Sequence, residues 1–477
     1  MRARIRRIWL GAKATSAATA AILMSVAACG SDDRIVGTAE PDATDAASPP
    51  DESPDAAPPV DARPPFDAAA EPVTCTASPC AVELVAGERH FCARMSDGTV
   101  RCWGDDFWGQ LGRGEADETS PEGDAGAIPP VVGLSNAVQI SAGARSTCAL
   151  LADGAVHCWG SNLVGELGLE VDPPSEDPDP HPVPSPVALE GATATRVDVG
   201  IDATCAGLTT GELLCWGGTQ QRKLARADVS DLGTYPVTVG PGIAELDASA
   251  FTKTFGSSKT MLALTTKGDV FSWGAISGDD GLVSGRISSV SPSLTPKRIV
   301  ELSNVTGVAV SAVLQRQPSD NQRPIGPGGP MQLYGHGCAI ADGEVFCWGR
   351  SFYGALCTGL PDRETLPKHA PIAGPAWPQQ IAVGDETTCV RMTDGTVRCC
   401  GDNTYGALGT GSAEGFSASF TRASAFKTHA VHVAASHASV CALVQGGTVE
   451  CWGSNASGEL GRMPDHVAHA TPTKITF

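Results

Sequence analysis

Cysteine spacing is the feature of this sequence that most directly suggests chemistry. The chain has 17 cysteines, and the phrase CARMSDGTVRCWG, which begins at Cys92, returns with small changes further along. Such cysteines can form disulfides, pack as reduced thiols in a core, or bind a metal ion. The C-x9-C spacing has no second ligand pair nearby and is therefore poor spacing for zinc. Disulfides are the interpretation that we favour.

Each pair of cysteines flanks a turn, and counting across that turn places the two residues opposite each other. With Ser96-Asp97-Gly98 as the loop, position 92 faces position 102 in a non-hydrogen-bonded antiparallel pair. The Cα atoms of such a pair are about 4.5 Å apart, which suits a disulfide. The same count predicts six local bonds: Cys92 with Cys102, Cys148 with Cys158, Cys205 with Cys215, Cys338 with Cys347, Cys389 with Cys399 and Cys441 with Cys451.

Two variant copies of the phrase favour bonded pairs over independent thiols. The fifth copy is one residue shorter, and a two-residue Asp342-Gly343 turn would keep its cysteines opposite each other. The fourth copy loses both cysteines together, with Leu262 and Ser272 in their places. Joint retention and joint loss are what a bonded pair predicts.

Four cysteines lie outside the hairpins and the signal region. Cys75 and Cys80 are five apart at the start of the repeats, and we expect them to pair. Cys357 replaces a turn glycine, whereas Cys400 replaces a tryptophan in the next copy. A bond between Cys357 and Cys400 is therefore predicted to join two neighbouring repeats, although hairpin counting does not fix that pairing.

The cysteines belong to a unit that recurs seven times. Aligned on its Trp-Gly step, the tryptophan slot holds Trp103, Trp159, Trp216, Trp273, Trp348, Cys400 and Trp452. Each copy has four short β-like runs separated by Gly and Asp-Gly turns, which predicts an all-β, seven-bladed β-propeller of four-stranded blades over residues 75–477. An open β-solenoid is the alternative. We prefer closure because the final TPTKITF strand suits a blade completed by N-terminal strands.

The unit resembles the repeat of the regulator of chromosome condensation family. The matching motifs are G-x-x-(H)-x-C-A, the hairpin D-G-x-V-x-C-W-G and the turn G-x-L-G. The third copy lacks the G-x-L-G turn, the fourth is degenerate and the fifth carries an insertion. The resemblance implies a seven-bladed propeller. The resemblance would also imply guanine-nucleotide exchange on a small GTPase. The family resemblance includes a secreted bacterial propeller that inhibits β-lactamase by protein contact, which makes extracellular binding plausible.

The N-terminal region predicts export. A basic start, a short apolar stretch and Val26-Ala27-Ala28-Cys29 resemble a bacterial lipoprotein signal over residues 1–28, with lipid on Cys29. An ordinary signal peptide with an accidental cysteine is the alternative. Residues 29–74 are rich in Pro, Ala and Asp and predict a disordered tether. We expect an exported cell-envelope lipoprotein, on the periplasmic face or the cell surface, where disulfides form.

No catalytic, cofactor or metal residues stand out. The net charge of −20 opposes binding to nucleic acid. Aspartates in the hairpin turns support those turns. His90 and His336 share one repeat slot and are interpreted as structural. His429, His432 and His437 are poorly spaced for a zinc site.

Two functions from different classes therefore compete. The first is a lipid-anchored scaffold that binds an unknown protein or glycan through copy-specific acidic loops at residues 115–126 and 170–186. Both loops are equally well explained as solvated surface. Binding of calcium by these acidic loops is a weaker alternative. The second is a hydrolase or lyase acting on a cell-surface polymer. Nucleotide exchange is disfavoured by the predicted export.

Overall fold

The computed structural model describes thirteen stretches of the chain. They are residues 66, 69–114, 127–169, 177–219, 223–225, 237–238, 251–257, 259–276, 279–289, 291–311, 335–351, 353–359 and 363–477. The predicted signal, the Cys29 lipidation site, nearly all of the predicted tether and the loop 115–126 lie outside these residues. Within them, no helix is both long enough and apolar enough to cross a membrane.

The described residues form seven antiparallel sheets, one for each repeat, so the seven-bladed propeller is confirmed. The strands of the first four blades are β1 (Ala81–Ala86), β2 (His90–Met95) and β3 (Val100–Gly104); β4 (Ala137–Ala142), β5 (Ser146–Leu151), β6 (Val156–Asn162) and β7 (Asp177–Pro186); β8 (Ala194–Val199), β9 (Ala203–Leu208), β10 (Leu213–Gly217) and β11 (Val237–Thr238); β12 (Phe251–Gly256), β13 (Thr260–Thr265), β14 (Val270–Gly274) and β15 (Ser293–Arg298).

The last three blades follow the same order. Their strands are β16 (Val305–Val310), β17 (Gly335–Ala341), β18 (Glu344–Arg350) and β19 (Arg363–His369); β20 (Pro378–Val383), β21 (Thr387–Met392), β22 (Val397–Asp402) and β23 (Phe416–Arg422); β24 (Ala430–Ala435), β25 (Ser439–Val444), β26 (Val449–Asn455) and β27 (Asp465–Lys474). The first blade has three named strands, and Pro130, bridged to Arg101, takes the outer position. A 3₁₀ helix, Asp279–Ser284, follows β14.

The hairpin register places the paired cysteines directly opposite each other. Cys92 faces Cys102 in the first blade, and Cys338 faces Cys347 across the shorter turn of the fifth. The Cα atoms of each bonded hairpin pair are 4.1 Å apart. The eight disulfides of the structure are Cys75–Cys80, Cys92–Cys102, Cys148–Cys158, Cys205–Cys215, Cys338–Cys347, Cys357–Cys400, Cys389–Cys399 and Cys441–Cys451.

The tryptophans of the repeat join one blade to the one before it. All six are buried, and each indole Nε1 donates a hydrogen bond to a backbone carbonyl in the turn of the preceding blade. The donor and acceptor pairs are Trp103 with Glu459, Trp159 with Gln110, Trp216 with Glu166, Trp273 with Lys223, Trp348 with Val283 and Trp452 with Ala407. Because the pattern includes the pair from the last blade to the first, it closes the ring.

The way in which the ring closes differs from the sequence-based expectation. The C-terminal strand β27 pairs with β26 of its own copy and does not complete a blade of N-terminal strands. The last residues reach the first blade by other contacts, since Ile128 N donates to Thr476 O and Phe477 packs on Trp103 with ring centroids 5.8 Å apart. Each blade is therefore contiguous in sequence, and a backbone hydrogen bond together with side-chain packing joins the last residues to the first blade.

Two further expectations need correction. The third copy lacks the G-x-L-G sequence but not its turn, because Lys223 supplies the acceptor carbonyl and Ala225 takes a positive φ of 57°. The segment 170–186 is not a loop throughout, since Asp177–Pro186 is the outer strand β7. Residues 170–176 lie outside the described residues.

The chain enters the propeller along the side that carries the hairpin turns, which we call the hairpin face. Phe66 packs on Trp377 with ring centroids 5.7 Å apart. Further along, Thr74 N donates to Gln445 O at 3.1 Å. The Glu71 carboxylate lies 2.9 Å from His429 Nε2. Residues before Cys75 thus contact the sixth and seventh blades.

Candidate binding face at the channel mouth

The seven innermost strands surround a central channel with a volume of about 320 Å³. Many of the polar side chains along it are already satisfied by neighbouring blades. The Gln139 amide bonds Val197 N and O, and the Gln380 amide bonds Val433 N and O in the same way. These hydrogen bonds connect the innermost strands of neighbouring blades. The polar side chains that make them therefore hold the ring together and are not free to bind a ligand.

Ionisable groups gather where the innermost strands end, at the side opposite the hairpin face. We call this side the mouth face. Glu88, Asp385 and His437 line the channel there, and His437 Nδ1 lies 2.5 Å from the Asp385 carboxylate. His437 N also donates to Glu88 O at 2.7 Å, which joins the seventh blade to the first.

The acids of the mouth face are incompletely compensated. Burial, reinforced by the negative charge of Asp385, raises the pKa of Glu88 to about 7, although Arg145, Arg89 and His437 oppose the shift. Burial likewise raises the pKa of Asp105, against the hydrogen bond from Gln110 and the charges of Arg89 and Arg145. The mouth is therefore a partly desolvated region with more acidic than basic character.

A further acid lies on the neighbouring turn. Burial raises the pKa of Glu459, in opposition to its hydrogen bond from Ser457 N and to the positive charges of Arg89 and His437. Glu459 is 1% exposed and belongs to the seventh blade, whose turn carbonyl receives the indole of Trp103. The same turn that joins the blades thus contributes charge to the mouth.

Exposed apolar side chains lie beside these charges. Phe107 is 55% exposed and packs edge-on against Trp108, with ring centroids 5.2 Å apart. Arg145 lies 5.8 Å from the ring centroid of Trp108 and 3.7 Å from the Glu88 carboxylate. Val183, 50% exposed on β7, is brought close because His181 N donates to Trp108 O. We call Phe107, Trp108 and Val183 the aromatic ledge.

The histidines singled out in the sequence occupy separate places. His90 is fully buried and its Nε2 lies 2.9 Å from Thr147 Oγ1, while His336 makes the equivalent contact with Thr388 at 2.8 Å. Burial lowers the pKa of both to about 4, so they are neutral structural groups.

The three histidines of HAVHVAASH do not converge. His429 contacts Glu71 on the hairpin face and His437 contacts Asp385 at the mouth. His432 lines the channel, and burial together with the charges of Lys253 and Arg391 lowers its pKa to about 3. Across the described stretches, no cluster of three or more His, Cys, Asp or Glu is placed to hold a metal ion.

The turn aspartates of the first, second and sixth copies act within their turns, as expected, whereas Asp342 of the fifth copy does not. Asp97 accepts from Thr99 N and Oγ1, and Asp394 accepts from Thr396 N and Oγ1. Asp342 instead accepts from the side chains of Ser303 and Asn304.

Sequence reasoning missed Glu88 and Asp385, which are far apart in the chain. The repeat does contain a signal for them. In each copy, a Gly or Ser follows the innermost strand of the blade. The next position holds Glu88 in the first copy, Asp385 in the sixth and His437 in the seventh. These copies are consecutive around a closed ring, so an ionisable residue in that slot in all three predicts a cluster.

Comparison with known proteins agrees with the repeat motifs. Two models of the regulator of chromosome condensation (RCC1) repeat match the chain, one at residues 81–110, 137–166 and 379–407 and the other at residues 97–150 and 342–391. The chain therefore carries repeats of the regulator of chromosome condensation type in both of these regions. The matched regions contain Glu88, Arg145 and Asp385, so the mouth face is built on the family's repeat.

Curated proteins that match the chain are about a quarter identical to it over the aligned residues. The ultraviolet-B receptor UVR8 of Arabidopsis thaliana is 27% identical over 344 residues, which cover 71% of this chain and 69% of the receptor. The protein pim1 of Schizosaccharomyces pombe is 28% identical over 40% of this chain and 36% of its own length. The E3 ubiquitin-protein ligase HERC2 of Homo sapiens is 27% identical over 69% of this chain, which spans 6% of the ligase.

Solved structures of the family share the fold. Yeast RCC1 (Prp20), in a crystal structure with Kap60, superposes with a TM-score of 0.63 at 17% identity, covering 87% of this chain and 90% of that one. Human WBSCR16 superposes with a TM-score of 0.58 at 19% identity, covering 82% and 95%. At these identities the likeness establishes the architecture alone.

Proposed function

We propose that the chain is an exported, lipid-anchored propeller that binds a protein partner on its mouth face. The observation that carries the proposal is the position of the aromatic ledge beside the charged channel mouth. The exposed ring of Phe107, the half-buried ring of Trp108 and the guanidinium of Arg145 are residue types that are enriched at the centre of protein interfaces. The hairpin face is less suited, because Phe66 and residues 69–76 already occupy part of it.

Two further features support the mouth face. Gly114, the last described residue before the acidic segment 115–126, donates from its N to Pro182 O on the strand that carries Val183. Gly114 therefore lies next to the aromatic ledge. Per-repeat insertions commonly lie on the binding face of repeat proteins, which is the role proposed for this segment.

The relatives favour a protein over a glycan. Yeast RCC1 was crystallised bound to Kap60, and Prp20p of Saccharomyces cerevisiae was studied for its binding to Gsp1p and histones. Kap60, Gsp1p and histones are partners of the yeast protein and are not assigned to this chain. For an exported chain we propose a different protein in the cell envelope or outside the cell, and neither nucleotide exchange nor binding of nucleic acid.

Crosslinking in intact cells, followed by affinity capture and mass spectrometry, tests this function. The variant should replace both Phe107 and Trp108 by alanine, while Val300→Ala serves as the control. Val300 is 75% exposed and lies away from the mouth face, before β16. We expect the double variant to lose a protein that the parent and the control both capture. Equal capture by all three would contradict binding at the ledge.

The enzyme alternative rests on the same mouth but makes a different prediction. His437, oriented by Asp385, would accept a proton, and Glu88 would donate one. If purified envelope polymer were cleaved by the parent and not by Glu88→Gln, the chain would be a hydrolase or lyase. Binding without any cleavage is the result that the scaffold proposal predicts.

A further inference from the structure

We propose that the channel mouth binds a cationic side chain, the ammonium of a lysine or the guanidinium of an arginine, presented by the protein partner. This inference rests on the proposed function and names the chemistry of the partner at one point of the mouth face. Three structural observations carry it.

The first observation is that the acidic groups come from blades in direct contact. A Cβ built on Gly384 would lie 2.1 Å from Ser436 O, so the ends of the innermost strands of the sixth and seventh blades touch. The bond from His437 N to Glu88 O then joins the seventh blade to the first. Asp385 and Glu88 thus flank the strand end at Ser436 from its two sides.

The second observation is an unused hydroxyl at that strand end. Three blades carry serine at the equivalent position, and two of the hydroxyls are engaged locally. Ser257 Oγ donates to Thr260 O, and Ser311 Oγ accepts from His336 N. Ser436 is among the residues that line the channel and is 2% exposed. Its buried Oγ has no hydrogen-bond partner among the described residues. A buried polar group without a partner is costly, and a ligand would satisfy it.

The third observation is the balance of charge near Glu88, Asp105 and Glu459 among the described residues. Asp385, Glu88, Asp105 and Glu459 supply negative charge, which Arg89, Arg145 and His437 offset in part. Arg145 is shared between Glu88 and the face of Trp108. Addition of one more positive charge would therefore stabilise the ionised acids.

These acceptors suit an organic cation better than a metal ion. In the described part of the chain, no three carboxylate or imidazole groups converge as metal ligands do. An ammonium or guanidinium carries several N–H donors on a long stem and can reach acceptors that are further apart. Its apolar stem would lie along the aromatic ledge at Trp108.

Calorimetric titration with short peptides tests the inference. The probes are acetylated, amidated Gly-Gly-Arg-Gly-Gly and the same peptide with citrulline, which keeps the shape but removes the charge. We expect the arginine peptide to bind at least tenfold more tightly at pH 8. Because the cation prefers the ionised carboxylate, binding should weaken as the pH falls from 8 to 6, through the pKa of Glu88 near 7.

Matched variants separate the mouth from general electrostatic attraction. Glu88→Gln should weaken binding of the arginine peptide about tenfold and flatten its pH dependence, and Ser436→Ala should weaken it several-fold. Glu212→Gln removes one charge from a hairpin turn and should change nothing; its carboxylate contacts Thr210 Oγ1 on the hairpin face.

The outcomes of the two proposals differ. Equal affinity for the arginine and citrulline peptides, no binding of either, or equal loss in Glu88→Gln and Glu212→Gln would overturn the cation site. If the parent protein still captures its partner in cells under any of those results, the scaffold function stands and only the cation site is rejected. Loss of the captured partner in Glu88→Gln, with the peptide result as expected, supports both.

Discussion

Cys357 of the fifth blade is bonded to Cys400 of the sixth at a junction where other blades use a tryptophan and a small residue. At the equivalent places Gly112 lies against Trp159 and Gly409 against Trp452, and a Cβ on either glycine would come within about 3 Å of the indole nitrogen. The large ring thus leaves room for no more than a glycine or, beside Trp273 in the third copy, Ala225. When the ring is replaced by Cys400, room appears for Cys357, and a covalent bond replaces the indole hydrogen bond.

Cys357 and Cys400 should therefore tolerate replacement only when both are changed together. The double variant Cys357→Gly with Cys400→Trp restores the ordinary junction, and we expect it to fold with a free energy of unfolding within about 2 kcal/mol of the parent. Cys400→Trp alone places the indole against a side chain at position 357 and also leaves an unpaired thiol. That overpacking should cost about 1–3 kcal/mol beyond the lost bond.

Denaturant unfolding of the parent, both single variants and the double variant forms a complete cycle. A positive φ of 57° at Cys357 gives a further reason for glycine to be accepted there. If the two single changes simply added in the double variant, the two positions would not be coupled as the packing requires.

The repeat explains why so much of the fold was predictable. Counting outward from Asp97-Gly98 gave the register of one hairpin, and repetition extended it to the others, because a one-residue slip would turn the cysteines away from each other. The closure of the ring was not predictable in this way. Whether β27 pairs with its own copy or with the first blade depends on strand lengths and packing at the ends, which the motif does not encode.

The candidate site was less predictable for a physical reason. Glu88, Asp385 and His437 come together only because the closed ring places the seventh blade between the sixth and the first. In the sequence around it, each of these three residues is only a single polar residue that follows the end of a strand. The turn in the third copy was missed similarly, since Lys223 and Ala225 adopt the turn geometry without the G-x-L-G letters.

Peptide mapping of the oxidised protein without reduction should find the six hairpin bonds and Cys75–Cys80. The variant Cys205→Leu with Cys215→Ser copies the pair that the fourth blade carries naturally, Leu262 and Ser272. We expect it to fold and to lose about 2 kcal/mol, because a short loop gains little from crosslinking. A hairpin cysteine found bonded to a different blade would show that the strand register is wrong.

Glu71 should contribute to stability although it precedes the repeats. Its carboxylate lies 3.5 Å from Arg391 Nη1, and the Arg391 side chain is 2% exposed. Burial lowers the pKa of Arg391 and the charge of Glu71 opposes that shift. Glu71→Gln should therefore cost about 1–2 kcal/mol, less than for a fully buried pair because Glu71 is partly exposed.

The exposed pair of Glu364 with Lys368 provides the control for Glu71. Glu364→Gln should change the free energy of unfolding by less than about 0.5 kcal/mol, since surface ion pairs contribute little. Denaturant curves of both variants at one pH and salt concentration make the comparison. Equal, negligible effects would show that the segment before Cys75 does not support the fold.

The lipid anchor at Cys29 remains a prediction. Cys29→Ser should prevent lipidation and cleavage of the signal, and so yield either released protein or an uncleaved precursor. Membrane fractionation with mass spectrometry of the N-terminal peptide measures both. A variant with Cys75 and Cys80 both replaced by serine controls for loss of a thiol elsewhere and should fractionate as the parent does. Normal processing and retention of Cys29→Ser would favour the ordinary signal peptide.

Glu166 should make the propeller less stable as the pH rises. It is 4% exposed between the second and third blades, and burial raises its pKa from 4.5 to about 7, against hydrogen bonds from Ser161 Oγ and Val164 N. Below pH 4.5 the carboxyl is protonated in both folded and unfolded chains. Between pH 4.5 and 7 only the unfolded chain ionises, so stability falls across that window and levels off above it.

Glu166→Gln isolates this effect, because glutamine accepts from Val164 N and donates to Ser161 Oγ without taking up charge. Relative to the parent, the variant should gain on the order of 2–3 kcal/mol between pH 5 and pH 8. Glu414→Gln, at an exposed position, should follow the parent at every pH. Urea unfolding at five or six pH values gives the comparison. Parallel curves for the parent and Glu166→Gln would mean that Glu166 is ionised in the folded protein throughout, with its charge compensated by groups such as Lys223.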